Sequence, residues 1–127
     1  TLNPDVVWIG PNPLSVLRDA WAPSSAMGLC LLVPLPAAHN RTAPGDFSAN
    51  SDGILTRGGP LVYTGAQIID TARLADAGSG AFSLNAYWDL LMKNGALKGV
   101  LYPGQWCDVG TPEGLQQANT LWKRRQT

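Results

Sequence analysis

Asp5 and Asp108 are the residues of this chain whose type and placement best suit chemistry. The pattern around each puts it at the C-terminal end of a strand, and open α/β sheets bind ligands beside those ends. Two carboxylates there, with positions left for water and phosphate oxygens, suit magnesium. Such an ion offsets phosphate charge and aligns an in-line displacement. The alternative is that each aspartate only caps a turn.

Asp108 belongs to the octet Trp106-Cys107-Asp108-Val109-Gly110-Thr111-Pro112-Glu113. Trp106 to Val109 reads as the end of a short strand. Gly110 frees the backbone for a sharp turn. Thr111 suits a helix N-cap, Pro112 the first helical position, and Glu113 the positive helix end. Elsewhere, Gly65 either lets a ligand approach the backbone or marks a kink or bulge. Trp106 is either core packing or a pocket wall. His39 sits in a Pro-rich stretch with no nearby Ser or Cys partner, which reads as a solvated loop residue.

The elements that must position these residues follow from periodicity. Thr1 to Asp5 reads as the end of a strand. Pro13 to Trp21 reads as a helix with Leu14, Leu17 and Trp21 on one face. Gly28 to Val33 is a continuous apolar run, too short for a helix, and reads as a buried strand. Pro34 to Pro44 reads as a loop. Phe47 to Thr56 reads as a hairpin turning at Asn50-Ser51-Asp52-Gly53. Strand pieces follow at Leu61 to Tyr63 and Gln67 to Ile69, then a short helix at Thr71 to Ala77. Ser83 caps a helix whose apolar face is Leu84, Tyr87, Trp88, Leu91 and Met92, ending at Asn94-Gly95. Gly99 to Tyr102 is a strand. The last helix runs from Pro112 to Arg124 with Leu115, Ala118, Leu121 and Trp122 inward. This order, with strands and helices mixed along the chain, predicts an α/β layer fold in one domain, residues 1 to 127.

Composition narrows the classes. The 127 residues are 45% hydrophobic, ample for a core. Nine Lys and Arg balance nine Asp and Glu, so no strong field draws nucleic acid or an anionic membrane. The Lys123-Arg124-Arg125 cluster complements the negative end of the last helix. Asn40-Arg41-Thr42 matches a glycosylation acceptor, which we read as chance because the sequence shows no secretion signal. Cys30 and Cys107 read as buried free thiols. The expected location is cytoplasmic. A chain that opens on Thr1 instead of Met reads as a fragment or a trimmed chain.

Several of these motifs, in this order, resemble the sugar-1-phosphate nucleotidylyltransferases. Asn3-Pro4-Asp5 is similar to the N-G-D that ends a central strand there. Gly45-Asp46-Phe47 resembles the G-D-F of the subgroup that makes UDP-N-acetylmuramic acid. Tyr63-Thr64-Gly65 resembles the strand preceding the sugar pocket. Phe82-Ser83-Leu84 with its helix, and then the final octet, complete the series from residue 1 to about residue 120. The resemblance implies the C-terminal part of a Rossmann-like nucleotidyltransferase, a mixed sheet flanked by helices. It implies Asp5 and Asp108 as ligands of Mg2+, with Asn3, Asp46, Thr64, Gly65 and Trp106 on the substrate side. It implies transfer of UMP from UTP, or another nucleoside monophosphate, to N-acetylmuramate or hexose 1-phosphate, with pyrophosphate released.

Two departures bear on this. The family's Gly-rich loop, G-x-G-T/S-R-x-x-P followed by P-K, is absent from the 127 residues. Pro4 replaces a small residue and removes an N–H. The expected partners are therefore a sugar 1-phosphate, a nucleoside triphosphate and the missing N-terminal, nucleotide-binding half. Alone, the chain is expected to be inactive, with the strand at Leu29 to Val33 needing a partner to bury it. A non-catalytic sugar-phosphate-binding or assembly module is the alternative, and an unrelated α/β domain the third possibility.

Overall fold

The structure is a computed structural model that describes residues 1–41, 44–71 and 84–126. Among these residues the chain is an α/β protein with two mixed sheets, of three and five strands, and three α-helices. The strands are β1 (Val6–Ile9), β2 (Gly28–Pro34), β3 (Ala38–His39), β4 (Phe47–Ala49), β5 (Leu55–Arg57), β6 (Leu61–Ile69), β7 (Leu97–Leu101) and β8 (Gln105–Asp108). The helices are α1 (Pro13–Ser24), α2 (Leu84–Lys93) and α3 (Pro112–Gln126). A 3-10 turn spans Leu35–Ala37. No described helix is long and apolar enough to cross a membrane.

The five-stranded sheet has the order β5-β4-β6-β2-β7. β2 lies antiparallel to β6 and parallel to β7. This central place explains its unbroken apolar run: both faces are covered, so both sets of alternating side chains must be apolar. Leu29, Leu31 and Val33 pack with Leu17 of α1 and with Trp106. Cys30 and Leu32 pack on the other face with Phe47, Leu55 and with Tyr87, Trp88 and Leu91 of α2. Burying each such leucine contributes about 1.5–3 kcal/mol. The expectation that this strand needs an external partner is thereby corrected: Leu29 to Val33 are each at most 2% exposed within the chain itself.

The second sheet has the order β1-β8-β3. β1 pairs antiparallel with β8, Val6 facing Asp108 and Ile9 facing Gln105. β3 pairs parallel with β8. The fold is thus two sheets where one mixed sheet was expected. The strand expected over Thr1 to Asp5 is displaced as well. Pro4 cannot donate to a ladder, and the β-branched and aromatic run Val6-Val7-Trp8-Ile9 forms β1 instead. Of the first five residues only Leu2 makes a bridge, to Ala66. Asp5 therefore precedes a strand and does not end one.

Other elements match the sequence more closely. α1 starts on Asn12, whose side chain accepts from the Leu14 amide at 2.9 Å, and ends at Ser25 in the left-handed region. The hairpin β4–β5 forms around Asn50, whose Oδ1 accepts from the Asp52 and Ile54 amides. The stretch expected as a loop holds the 3-10 turn and β3. The two pieces expected around Gly65 are one strand, β6, with an irregularity opposite Leu31. The helix expected at Thr71 to Ala77 and the Ser83 cap lie outside the described residues, save Thr71 itself. Leu14, Leu115 and Trp122 were expected inward and are about half exposed. The buried side of α3 is Gly114 and Ala118, with Leu121 half-buried.

Candidate functional site

Asp5 and Asp108 come together although 103 positions separate them. The antiparallel pairing of β1 with β8 does this, placing Asp5 beside the last residue of β8. Val109 extends the contact by donating to the Asp5 carbonyl at 3.0 Å. Between the two side chains sits Gly110. A Cβ there would stand 3.1 Å from Asp108 Oδ1 and 3.4 Å from Asp5 Oδ2. The absent side chain leaves a small cradle faced by both carboxylates. Asp108 Oδ1 also accepts from the Gly110 amide at 2.7 Å, so the turn-capping role weighed for Asp108 is real. Asp108 Oδ2 and the whole Asp5 carboxylate make no hydrogen bond or ion pair to described residues.

This donor set fits magnesium. Its atoms are hard carboxylate oxygens, Asp5 is exposed and Asp108 half-buried, and water can reach the remaining positions. No group of three or more His, Cys, Asp or Glu is gathered among the described residues. Two carboxylates alone would leave most positions of such an ion to water.

The turn that carries Asp108 is tied down from the side. Thr111 caps α3 as expected, its Oγ1 accepting from the Gly114 amide at 3.0 Å. Asn40, just after β3, donates Nδ2 to the Asp108 carbonyl at 3.1 Å and to Thr111 Oγ1 at 3.0 Å. Its neighbour His39 pairs through Nε2 with Gln105 Oε1 at 2.6 Å, so it is a strand residue bonded to β8 and not a free loop histidine. Beside Asp108, Cys107 is fully buried, and burial first, then the Asp108 charge, pushes its thiol up from the usual range.

Asn3, Thr64, Gly65 and Trp106 form a second, adjoining group around the irregularity of β6. Thr64 Oγ1 donates to the Leu31 carbonyl at 2.7 Å. Trp106 Nε1 donates to the Thr64 carbonyl at 3.1 Å, and the Asn3 amide to the Gly65 carbonyl at 3.0 Å. Gly65 has φ +90°, and a Cβ there would collide with the Asn3 side chain. The close approach that Gly65 permits is made by the chain itself. Trp106, at 4% exposure, packs in the core.

Asp46 stands apart from the carboxylate pair. Its Oδ1 accepts from Arg41 Nη2 at 2.9 Å and its Oδ2 from the Tyr63 amide at 2.8 Å. It thus ties the segment before β4 to β6, one residue from Thr64. Arg41 Nε is buried without a hydrogen-bond partner among the described residues.

Two shallow grooves lie elsewhere. One, of about 580 Å³, runs between β5 and α2 past Arg57, Asp89 and Lys93. Arg57 there is engaged: it pairs with Asp89 at 2.9 Å and lies over the Phe47 and Trp88 rings. The other, of about 530 Å³, is edged by Leu2, Trp8, Leu14 and Trp122. Neither includes a candidate carboxylate. Groove size and ligand chemistry disagree here, and the chemistry is the better guide because a metal needs donors before volume.

Sequence reading missed Asn40 and Arg41. The Asn-Arg-Thr triplet drew attention only as a glycosylation acceptor. The available signal was an asparagine in a Pro-rich turn, since asparagine is among the few residues that enter the left-handed region readily. No protein-family model matches the chain.

Proposed function

We propose that this chain is the sugar-binding half of a Rossmann-like sugar-1-phosphate nucleotidylyltransferase. The substrate favoured is N-acetylmuramic acid 1-phosphate, then hexose 1-phosphates, with UTP as the nucleotide. The observation that carries the reading is the convergence of Asp5 and Asp108 on Gly110. Motif order in the sequence agrees with it.

In the reaction, a phosphate oxygen of the sugar 1-phosphate attacks the α-phosphorus of the nucleoside triphosphate. The bond from that phosphorus to pyrophosphate breaks, and pyrophosphate leaves with the electron pair. Magnesium, when bound, supplies screening of the phosphate charge. Asp5 and Asp108 would hold it, and the lack of a Gly110 side chain leaves room beside them. Thr64 and Trp106 already spend their donors within the chain, so their part is to fix the shape of β6 next to the carboxylates. Asn3 covers Gly65 at the same place. Asp46 holds β6 from the other side. Catalysis of this type rests on positioning and electrostatics more than on covalent help. The nucleotide would be held by a Gly-rich loop outside these 127 residues.

The test is calorimetric titration of the 127-residue chain with N-acetylmuramic acid 1-phosphate, with and without magnesium. Magnesium-dependent binding is expected, weakened about tenfold or more, or about 1.4 kcal/mol, in Asp108→Asn. No pyrophosphate release is expected from the chain alone. Binding of no sugar 1-phosphate, or binding indifferent to magnesium and to Asp108, overturns the proposal. A non-catalytic sugar-phosphate module is the second reading. Burial of β2 on both faces within the chain favours it, since that strand needs no other half to cover it.

A further inference from the structure

Among the described residues, Asn40 is the side chain that grips both ends of the turn carrying Asp108. Its Nδ2 donates to the carbonyl of Asp108 and to the hydroxyl of Thr111, three residues on. Both partners can be acceptors, and the carbonyl can only accept, so the donor assignment is fixed by chemistry. Two further features are built around this grip. Asn40 has φ +58°, a backbone state that costs most residues but that asparagine tolerates. Gly114 has no side chain, and a Cβ there would collide with Asn40 Nδ2 and with the Asp108 carbonyl. A left-handed backbone, a missing side chain and two hydrogen bonds meet at one amide group.

What the amide fixes is direction. The Asp108 carboxylate is aimed by its own backbone. Val109 ties that backbone to Asp5 on one side, and Asn40 ties it to β3 and α3 on the other. The Asp108 carbonyl and the Val109 N–H share one planar peptide group. Without Asn40 that group keeps the Val109 bond and a longer contact from the Cys107 thiol at 3.6 Å but loses its tie to Thr111 and α3, and the carboxylate is held less firmly in the cradle that it shares with Asp5.

We infer that Asn40 is a positioning residue of the carboxylate pair, setting the affinity of the site for a divalent cation without touching the ion. The inference rests on the metal reading of Asp5 and Asp108 given above.

The experiment is Mn2+ titration followed by electron paramagnetic resonance on the wild-type chain and on Asp108→Asn, Asn40→Ala and Asn40→Gly, with melting temperatures of all four. Asn40→Gly and Asn40→Ala both delete the amide, but only alanine retains the cost of the left-handed backbone. Asn40→Ala should therefore melt lower than Asn40→Gly, while both lose Mn2+ affinity equally. Outer partners of metal ligands typically set affinity by 10–100-fold, so a loss of about tenfold is expected. Mn2+ affinity in Asn40→Gly equal to wild type overturns the positioning role alone. So does a loss that follows the melting temperature from one variant to the other, since that is the mark of general destabilisation. Wild-type Mn2+ binding no tighter than that of Asp108→Asn overturns the metal reading and the positioning role with it.

Discussion

At the scale of single residues, glycines and amides carry more of the candidate site than its charges do. Gly65 is the clearest case. With φ +90° and the Asn3 side chain packed against it, the position admits no other residue without strain. Gly65→Ala is expected to cost about 1–3 kcal/mol, read as a shift in the urea midpoint with an unchanged slope. A change under half a kcal/mol would mean that Asn3 moves aside and that the first residues are loosely held. The place of Asp108 was legible, because strand-like residues precede it and turn-like ones follow, whereas Asp5 precedes β1 and does not end a strand as its flanking residues suggested. Their meeting was legible only through motif resemblance, since no local pattern tells Val6 to face Asp108. Asn40 offered only its residue type, which permits a left-handed turn. Its role depends on β3, a two-residue strand inside a stretch of prolines, and two residues are too few to show alternation.

At the scale of elements, helix phase was the weakest reading and β2 the strongest. β2 was legible because its apolar run has one cheap solution, burial on both faces. α3 was mis-phased because its large apolar residues invited inward placement. Its packing surface is instead small: Gly114 and Ala118 let the helix lie close to β8, where the Asp108 carbonyl and Asn40 already fill the space. Leu115 and Trp122 are then left outward, at 53% and 45% exposure. The observed phase makes opposite forecasts for neighbours. Leu115→Ala should change stability by no more than about 0.5 kcal/mol. Ala118→Leu should cost about 1–3 kcal/mol by overpacking. Thermal or urea melts of the two variants decide the phase. The reverse order of effects would restore the inward placement of Leu115. The strand expected over the first five residues failed for a similar local reason: Pro4 interrupts the ladder, and the better β-formers begin at Val6.

At the scale of the whole molecule, β2 divides two apolar clusters while belonging to both, and Cys30 reports on that shared core. Burial pushes the Cys30 thiol up from 9.0 to about 12, against a small opposing pull from Arg57. Between those values the unfolded chain gives up a proton that the folded chain keeps. Rising pH then favours unfolding, so the stability that the neutral thiol contributes is intact below about pH 9 and declines above it. Denaturation midpoints across that range check the sign. Below it, iodoacetamide should label Cys30 and Cys107 only at the rate at which the chain opens, and fast labelling of either would contradict its burial. The pairing of Val6 with Asp108 has a consequence for the order of assembly. It closes a loop of most of the sequence, whereas the β4–β5 hairpin closes over a handful of residues. Loop closure costs more entropy as the loop lengthens, and distant pairings lag behind local ones. The carboxylates are thus expected to meet late in folding, through a contact of high sequence separation, and partial opening that begins by peeling β1 from β8 separates them while the five-stranded sheet is still whole.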